Sequence, residues 1–186
     1  MASYQYTYVI DDLSKSWPGG KELFSNINLS FLPNAKIGVV GLNGSGKSTF
    51  LKIMAGHEKD YTGEAWAAEG VTIGYLPQEP LLDESKNVYE NITIGLKEQK
   101  DLLARYNELA VNYSEENADE LSELQNQIES KDLWDLDSKV NQAMEALRCP
   151  ESEMSVVNLS GGEKRRIAIC QLLLQNPDIL LLDEPT

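Results

Sequence analysis

The nine residues Gly41–Thr49, Gly-Leu-Asn-Gly-Ser-Gly-Lys-Ser-Thr, constrain the fold of this 186-residue chain more than any other stretch. They fit the phosphate-loop pattern G-x-x-x-x-G-K-[ST] without a mismatch. An apolar run, Lys36–Val40, precedes the loop and predicts a buried strand, and Ser48–Ala55 predicts a helix after it. A strand, a glycine-rich loop and a helix in this order are typical of α/β proteins with a parallel sheet.

The loop predicts a nucleotide site, whereas an ordinary glycine-rich turn is the alternative. Its glycines let several backbone N–H groups point at one phosphate chain, and the helix N-terminus adds partial positive charge. Lys47 can reach the β- and γ-phosphates, and the Ser48 hydroxyl can hold Mg²⁺. The candidate nucleotide-binding residues of the loop are Gly41, Leu42, Asn43, Gly44, Ser45, Gly46, Lys47, Ser48 and Thr49.

An acidic pair, Asp183-Glu184, follows the apolar run Ile179–Leu182. Four apolar residues suit a strand covered on both faces, and ligands of open parallel sheets bind at the carboxyl ends of the strands. One carboxylate there can bind Mg²⁺, and a second can orient or deprotonate a water molecule. A solvated strand end without a role is the alternative.

Two further side chains are candidates for the same site. Gln78 follows a predicted strand, Val71–Leu76, and its amide could reach the metal or the water, although most exposed glutamines have no chemical role. Trp17 precedes a Pro-Gly-Gly turn and could stack on an adenine ring, or it could cap the small sheet predicted from Tyr4–Ile10 and Leu23–Phe31.

The middle of the chain is helical in pattern. From about residue 88 to residue 147 there is no strand signal, and the spacing of apolar residues predicts two helices joined by an acidic turn at 113–117. Residues 97–148 hold 13 acidic and 6 basic side chains. A solvated helical hairpin with one apolar seam accounts for this pattern.

Composition excludes several classes of protein. The net charge of −14 disfavours unspecific nucleic-acid binding, which needs clustered cations. No apolar run approaches the roughly 18 residues of a membrane helix, and the N-terminus does not resemble a secretory signal. Two cysteines, Cys149 and Cys170, make no disulfide framework, so we expect a cytoplasmic location.

One more motif narrows the class of nucleotide-binding protein to which this chain could belong. Leu159-Ser160-Gly161-Gly162-Glu163 opens a predicted helix, Gly161–Gln175, about twenty residues before the acidic pair. In order along the chain, the phosphate loop, Gln78, this pentapeptide and Ile179–Glu184 resemble the Walker A loop, Q-loop, signature and Walker B of the ATP-binding cassette (ABC) family. The resemblance spans nearly the whole chain.

The resemblance implies ATP and Mg²⁺ as ligands. Ser48, Asp183 and Gln78 would then contribute to the metal site, and Glu184, with Gln78, would act on the attacking water. In the family the signature contacts the γ-phosphate held by a facing cassette, so Leu159–Glu163 would act in trans. A second cassette is therefore an implied partner.

Within the family, the chain is similar to the soluble F-type branch. Gly74–Pro80, the Glu163 that stands where most transporter cassettes carry Gln, and about eighty residues between Gln78 and Ser160 carry this similarity. It implies an ATPase that regulates translation, with the ribosome and tRNA as partners. A transporter's nucleotide-binding subunit and a non-hydrolysing nucleotide-binding fragment are the alternatives.

The predicted fold is α/β, a P-loop NTPase of the cassette type with a small antiparallel β subdomain and an inserted helical arm. The cassette core would span 1–96 and 149–186, and the arm 97–148. The family pattern continues past Walker B with segments that do not follow Pro185-Thr186. We therefore predict the truncated N-terminal part of a longer ATPase, able to bind nucleotide but without efficient hydrolysis of its own.

Overall fold

Residues 6–184 are described by the computed structural model, and they belong to two units. One unit contains the chain up to Gln78 together with the chain from Pro177 onward. The other unit runs from Glu79 to Asn176. The predicted end of the cassette at Pro185-Thr186 lies outside the described residues.

The small antiparallel sheet predicted for the first unit is confirmed. It contains β1 (Tyr8–Ser16), β2 (Glu22–Phe31) and β3 (Thr62–Ala67) in the order β2-β1-β3. The predicted strand Tyr4–Ile10 begins outside the described residues, and the observed strand continues past Ile10. The sequence signal missed β3 because small residues weaken its alternation.

The parallel sheet of this unit consists of two strands. β4 (Ile73–Leu76) pairs with β5 (Ile179–Leu182), residue 73 opposite residue 179. The carboxylate of Asp178 fixes this register, since it accepts from the backbone N–H of Thr72 at 2.8 Å and from its hydroxyl at 2.7 Å. The phosphate loop leads into helix α1 (Lys47–Met54).

An apolar cluster holds the first unit together. Buried side chains of β1, α1 and β5 meet in it, and burying such side chains is the main stabilising contribution to folding. Its fully or nearly buried members are Tyr8, Ile10, Leu13, Phe50, Leu51, Ile53, Met54 and Leu181. The acidic pair therefore follows a strand, β5, whose Leu181 is packed in this apolar cluster.

The prediction of a buried strand at Lys36–Val40 is wrong. The segment has no regular secondary structure, and Ile37 and Val40 are 59% and 93% exposed. A cleft of about 370 Å³ lies between the segment and β5. Within residues 6–184, β5 has β4 as its only hydrogen-bonded neighbour. An apolar segment forms a strand only where a neighbouring strand pairs with its backbone. The strand preference of these residues was therefore not enough to predict a strand here.

The second unit is helical. Its helices are α2 (Val88–Thr93), α3 (Lys97–Val111), α4 (Ala118–Ser130), α5 (Leu136–Ala146) and α6 (Gly161–Gln175), with short 3-10 helices at Ile94–Leu96 and Glu115–Asn117. They enclose one apolar core, whose buried members are Val88, Ile92, Leu96, Ile128, Leu133, Leu136, Val140, Met144, Val156, Ile167 and Cys170. The signature helix α6 is thus anchored in a closed core.

The prediction of two helices between about residues 88 and 147 is wrong in their number, because the structure forms four there, α2 to α5. Helix α4 ends at Ser130, and Asp132 has a left-handed backbone with φ of 50°. A residue in this conformation ends a helix, and the apolar spacing continues past it into α5. The arm boundaries 97–148 stay a prediction, since the whole unit is wider.

Within residues 6–184, no helix has the length and apolar character needed to cross a lipid bilayer. Cys149 and Cys170 are both free thiols, and Cys170 is fully buried in the helical core.

Candidate functional site

The phosphate loop depends on a glycine at its junction with α1. Gly46 has a φ of 97°, which L-residues with a side chain rarely adopt. A Cβ atom there would also lie 2.8 Å from Cγ of Leu23 and 3.1 Å from a ring carbon of Phe24. Within the described residues, no side chain caps the start of α1, and its first turn contains no acidic residue. No carboxylate of this first turn therefore competes with a phosphate for the first N–H groups of α1.

Lys47 folds back over the loop. Its Nζ donates to the carbonyl oxygens of Gly41 at 2.9 Å and Leu42 at 3.1 Å. Both acceptors are neutral, whereas a phosphate oxygen is charged and accepts more strongly from an ammonium group. A phosphate chain could thus take over these bonds without breaking an ion pair.

Asp183 is 3% exposed and connects three elements. Its Oδ1 accepts from the hydroxyl of Ser48 at 2.9 Å, and its Oδ2 accepts from the phenol of Tyr75 at 3.3 Å. Burial, followed by the neighbouring Asp183 carboxylate, raises the pKa of Tyr75 to about 12, so the phenol remains a donor at neutral pH. The carboxylate is thereby held from α1 and from β4.

Glu184 and Gln78 lie together. The side-chain amide of Gln78 donates to Oε2 of Glu184 at 2.9 Å. Glu184 has a φ of 49°, a left-handed conformation that is uncommon for glutamate and costs about 1 kcal/mol. Such strained residues cluster at functional sites, where the surrounding structure holds them in place.

A cavity of about 480 Å³ opens at the loop, a size common among small-molecule sites. Its lining includes most of the predicted site residues of this unit, together with Lys52: Trp17, Asn43, Gly44, Gly46, Lys47, Ser48, Thr49, Gln78 and Glu184. Trp17, 47% exposed, is part of this wall. Sequence reasoning missed Lys52, which shares a helix face with Ser48 four residues earlier, and it missed Tyr75.

The donor set fits a hard divalent cation. Hydroxyl, carboxylate and amide oxygens of Ser48, Asp183, Glu184 and Gln78 lie around the loop. Within residues 6–184 there is no group of three or more His, Cys, Asp or Glu side chains that could enclose a metal. Mg²⁺ does not need one, because it is commonly bound by one or two carboxylates and by substrate phosphates.

The signature belongs to the helical unit and forms a capping box. The Ser160 hydroxyl donates to Oε2 of Glu163 at 2.6 Å and accepts from the Glu163 N–H at 3.3 Å. The Ser160 N–H donates to the same carboxylate at 2.8 Å. These bonds lower the pKa of Glu163 below its usual range, because they stabilise the charged form.

The other signature residues differ in exposure. Leu159 packs against the helical core. Gly161 and Gly162 are exposed, and an added Cβ at Gly161 would meet nothing within 4 Å among the described residues. The glycines therefore leave the surface of α6 open at its N-terminal end. The signature residues thus form one local arrangement at the start of α6. They belong to the helical unit, whereas the phosphate loop belongs to the first unit.

A family model described as "ABC transporter" matches residues 24–186. The chain therefore belongs to the ATP-binding cassette family, and the predicted fold class is confirmed.

Among curated proteins, the chain is similar to the energy-dependent translational throttle protein EttA. The identity is 48% to EttA of Mycobacterium tuberculosis (strain ATCC 25618 / H37Rv) and 45% to EttA of Escherichia coli (strain K12), each over 98% of this chain. The predicted resemblance to the F-type branch is thus confirmed. The chain spans 33% and 34% of the length of these relatives.

Two solved structures share the fold. One is cbiO1 from Clostridium perfringens, part of the ABC transporter complex cbiONQ, with a TM-score of 0.60 and 23% identity over 97% of this chain and 66% of that one. The other is a metal-chelate type ABC transporter in an inward-facing conformation, with a TM-score of 0.61 and 19% identity over 97% of this chain and 60% of that one. At these identities the likeness supports the fold alone.

Proposed function

We propose that this chain binds ATP with Mg²⁺ at Gly41–Thr49 and that it belongs to a longer F-type ATPase that hydrolyses this ATP. One observation carries the proposal, the cavity of the first unit that Lys47, Ser48, Gln78 and Glu184 line together. These side chains come from three separate stretches of the sequence, and each has the chemistry that a nucleoside triphosphate requires.

Each side chain would have a distinct role. Lys47 would exchange its bonds to loop carbonyls for bonds to the β- and γ-phosphates. Ser48 and Asp183, which already share a hydrogen bond, would hold Mg²⁺ together with Gln78. The ion supplies positive charge that neutralises the phosphate oxygens. Glu184, oriented by the amide of Gln78, would accept a proton or a hydrogen bond from the attacking water.

Trp17 would bind the base. It stands in the wall of the same cavity, with about half of its side chain exposed. An exposed indole offers an apolar, polarisable face on which a planar base stacks. ATP rather than another nucleotide follows from the family.

The signature would serve a different nucleotide. Ser160 and Gly162 would contact the γ-phosphate bound by a facing cassette, with Leu159, Gly161 and Glu163 shaping this surface. In the structure the Ser160 hydroxyl is bonded to Glu163, so the facing nucleotide would have to compete with that bond. A second cassette, in the same longer chain or in another one, is therefore a proposed partner.

Translation would be the process that this ATPase regulates. The support is the sequence identity to proteins named energy-dependent translational throttle protein. The ribosome and tRNA, in the cytoplasm, are the partners that the F-type resemblance implies. A role as the nucleotide-binding subunit of a transporter has weaker support, because the two transporter structures named above are 23% and 19% identical to this chain.

Nucleotide binding is tested by calorimetry with ATP and Mg²⁺ on the 186-residue chain, which we expect to bind with a saturable isotherm. Absence of binding would sink the proposal. Phosphate release then separates a binding module from an ATPase. Rapid, saturable turnover by this chain that Lys47→Ala abolishes would contradict our expectation that hydrolysis requires the longer protein.

The translation role is tested with the full-length protein. We expect Glu184→Gln, which removes the proposed acceptor for the attacking water and should therefore slow hydrolysis, to co-sediment with ribosomes in ATP and not in ADP. Co-sedimentation that does not depend on the nucleotide would exclude an ATP-driven role on the ribosome. Co-purification with a membrane-spanning subunit would favour the transporter.

A further inference from the structure

Both carboxylate oxygens of Asp183 are engaged, and the two donors come from different elements. Ser48, at the start of α1, donates to Oδ1 at 2.9 Å. Tyr75, on β4, donates to Oδ2 at 3.3 Å. The proposed function assigns the first of these donors to the metal site and leaves the tyrosine without a role.

The register of the parallel sheet explains why a tyrosine reaches this carboxylate. Tyr75 lies opposite Leu181. Side chains alternate along a strand, so Leu181 and Asp183 share a face, two residues or about 6.6 Å apart. A tyrosine bridges that distance diagonally, and its hydroxyl arrives at the carboxylate. A phenylalanine would fill the same space and offer no hydrogen bond.

The tyrosine ring is itself held in place. The imidazole of His57 packs edge-to-face against it, with ring centroids 5.3 Å apart and an interplanar angle of 84°. The ring also packs against the apolar cluster of the first unit. The backbone of Asp183 is fixed as well, because its N–H donates to the carbonyl of Leu76 at 3.0 Å. Donor and acceptor are thus both pre-oriented.

We propose that Tyr75 is a positioning residue of the Mg²⁺ site: its phenol holds Oδ2 of Asp183 so that Oδ1, shared with Ser48, faces the phosphate loop. The inference rests on the proposed function and adds a residue to it. Hydrogen-bonded partners of metal ligands fix the orientation of the ligand, and their removal costs metal affinity. Tyr75 would therefore act on the coupling between Mg²⁺ and ATP, not on ATP binding without metal.

The experiment compares Tyr75→Phe with the wild-type chain and with Tyr61→Phe. Tyr61 is a partly buried tyrosine of the same apolar cluster, so this control also removes one phenolic oxygen. The dissociation constant of ATP is measured by calorimetry in excess Mg²⁺ and again in EDTA. The dissociation constant in EDTA divided by the constant in Mg²⁺ reports how strongly the metal strengthens nucleotide binding.

We expect Tyr75→Phe to reduce this ratio by roughly tenfold, with the constant in EDTA unchanged. Tyr61→Phe is expected to leave both constants at wild-type values. On an Asp183→Asn background, Tyr75→Phe should have no further effect, because the two residues act through one contact.

Three results would overturn the proposal. If Tyr75→Phe, with an unchanged melting temperature, keeps the wild-type ratio, Tyr75 is a core residue only, and the proposed function stands. If it weakens binding equally with and without Mg²⁺, the tyrosine supports the loop rather than the metal site. A wild-type chain that binds no ATP would overturn this inference and the proposed function together.

Discussion

The two glycine-containing helix starts of this protein, at α1 and at α6, are opposites. The first has Gly46 at its cap position, no acidic residue in its first turn and a lysine that rests on its own loop. The second has Ser160 at its cap position, locked to Glu163 by a capping box. A helix N-terminus attracts anions through its unpaired N–H groups. At α6 the carboxylate of Glu163, a residue of the same helix, already lies there.

The difference shows that one fold can contain a helix start without a carboxylate and another whose cap residue is bonded to a carboxylate of the same helix. At α1 the ammonium group of Lys47 donates to two neutral carbonyl oxygens, so an incoming phosphate would have no ion pair of this lysine to break. At α6 it would have to displace a carboxylate that already satisfies two donors. The start of α1 therefore has no carboxylate in its first turn, whereas the start of α6 has one that is bonded to its own cap residue.

The largest expected effect is on binding at α1. Lys47→Ala should weaken ATP binding by at least about 30-fold, because a hydrogen bond to a charged group contributes about 2 kcal/mol. Calorimetry measures the change. Lys59→Ala, in the same unit and away from the cavity, removes the same charge and should bind like the wild type. Equal weakening by both variants would mean that overall charge, and not the loop, attracts the nucleotide.

Next comes the backbone at the two helix starts. Gly46→Ala should lower the free energy of unfolding of the first unit by about 2 kcal/mol, because φ of 97° and the Leu23 side chain both oppose a Cβ. Gly161→Ala, in open space at the start of α6, should stay within about 0.5 kcal/mol of the wild type. Urea titration combined with hydrogen exchange resolves the two units. A similar loss of unfolding free energy in both variants would contradict the proposed difference between the two helix starts.

A smaller effect is expected at the cap of α6. Ser160→Ala removes the side-chain acceptor for the Glu163 N–H and should cost the helical unit about 1 kcal/mol. Ser160→Thr keeps a hydroxyl and should recover most of this loss. Neither variant should change ATP affinity at α1. If Ser160→Ala weakens ATP binding by this chain, the signature acts on its own nucleotide.

The smallest effect concerns pH. The folded pKa of Glu163 is lowered, so its contribution to stability is complete above the unfolded pKa of about 4.5 and is lost as pH falls through the folded value. Glu163→Gln should therefore lie closest to the wild type at pH 3, because protonation reduces this contribution in the wild type and the variant lacks it at every pH. Urea midpoints of the helical unit between pH 3 and 6 measure the difference. A constant offset across this range would show that the charge of Glu163 plays no part.

The site could be predicted further than the fold. Lys47, Ser48 and the acidic pair follow from residue type and spacing, because phosphate and metal chemistry tolerates few substitutes at those positions. The capping box at Ser160 is also local, because it joins residues three positions apart. Roles that stay within one segment can be read from sequence.

What the sequence did not reveal depends on partners far along the chain. The residues of Lys36–Val40 favour a strand, but a segment becomes a strand only when another strand pairs with it. In the described part of the chain β5 pairs only with β4. Asp132 ends α4 within an uninterrupted apolar spacing. The bond from Tyr75 to Asp183 joins residues 108 positions apart, and it requires the strand register to be known.

The free side of β5 has a practical consequence for handling the protein. Among the described residues, 6–184, no strand pairs with this side of β5, which lies beside the exposed side chains of Leu180 and Leu182, and Val40 is almost fully exposed. A short, apolar, unpaired strand edge is a template for the same edge of another molecule. Concentrated solutions should accordingly show self-association that grows with protein concentration, visible in light scattering, while dilute ones stay dispersed through the repulsion of a net charge of −14.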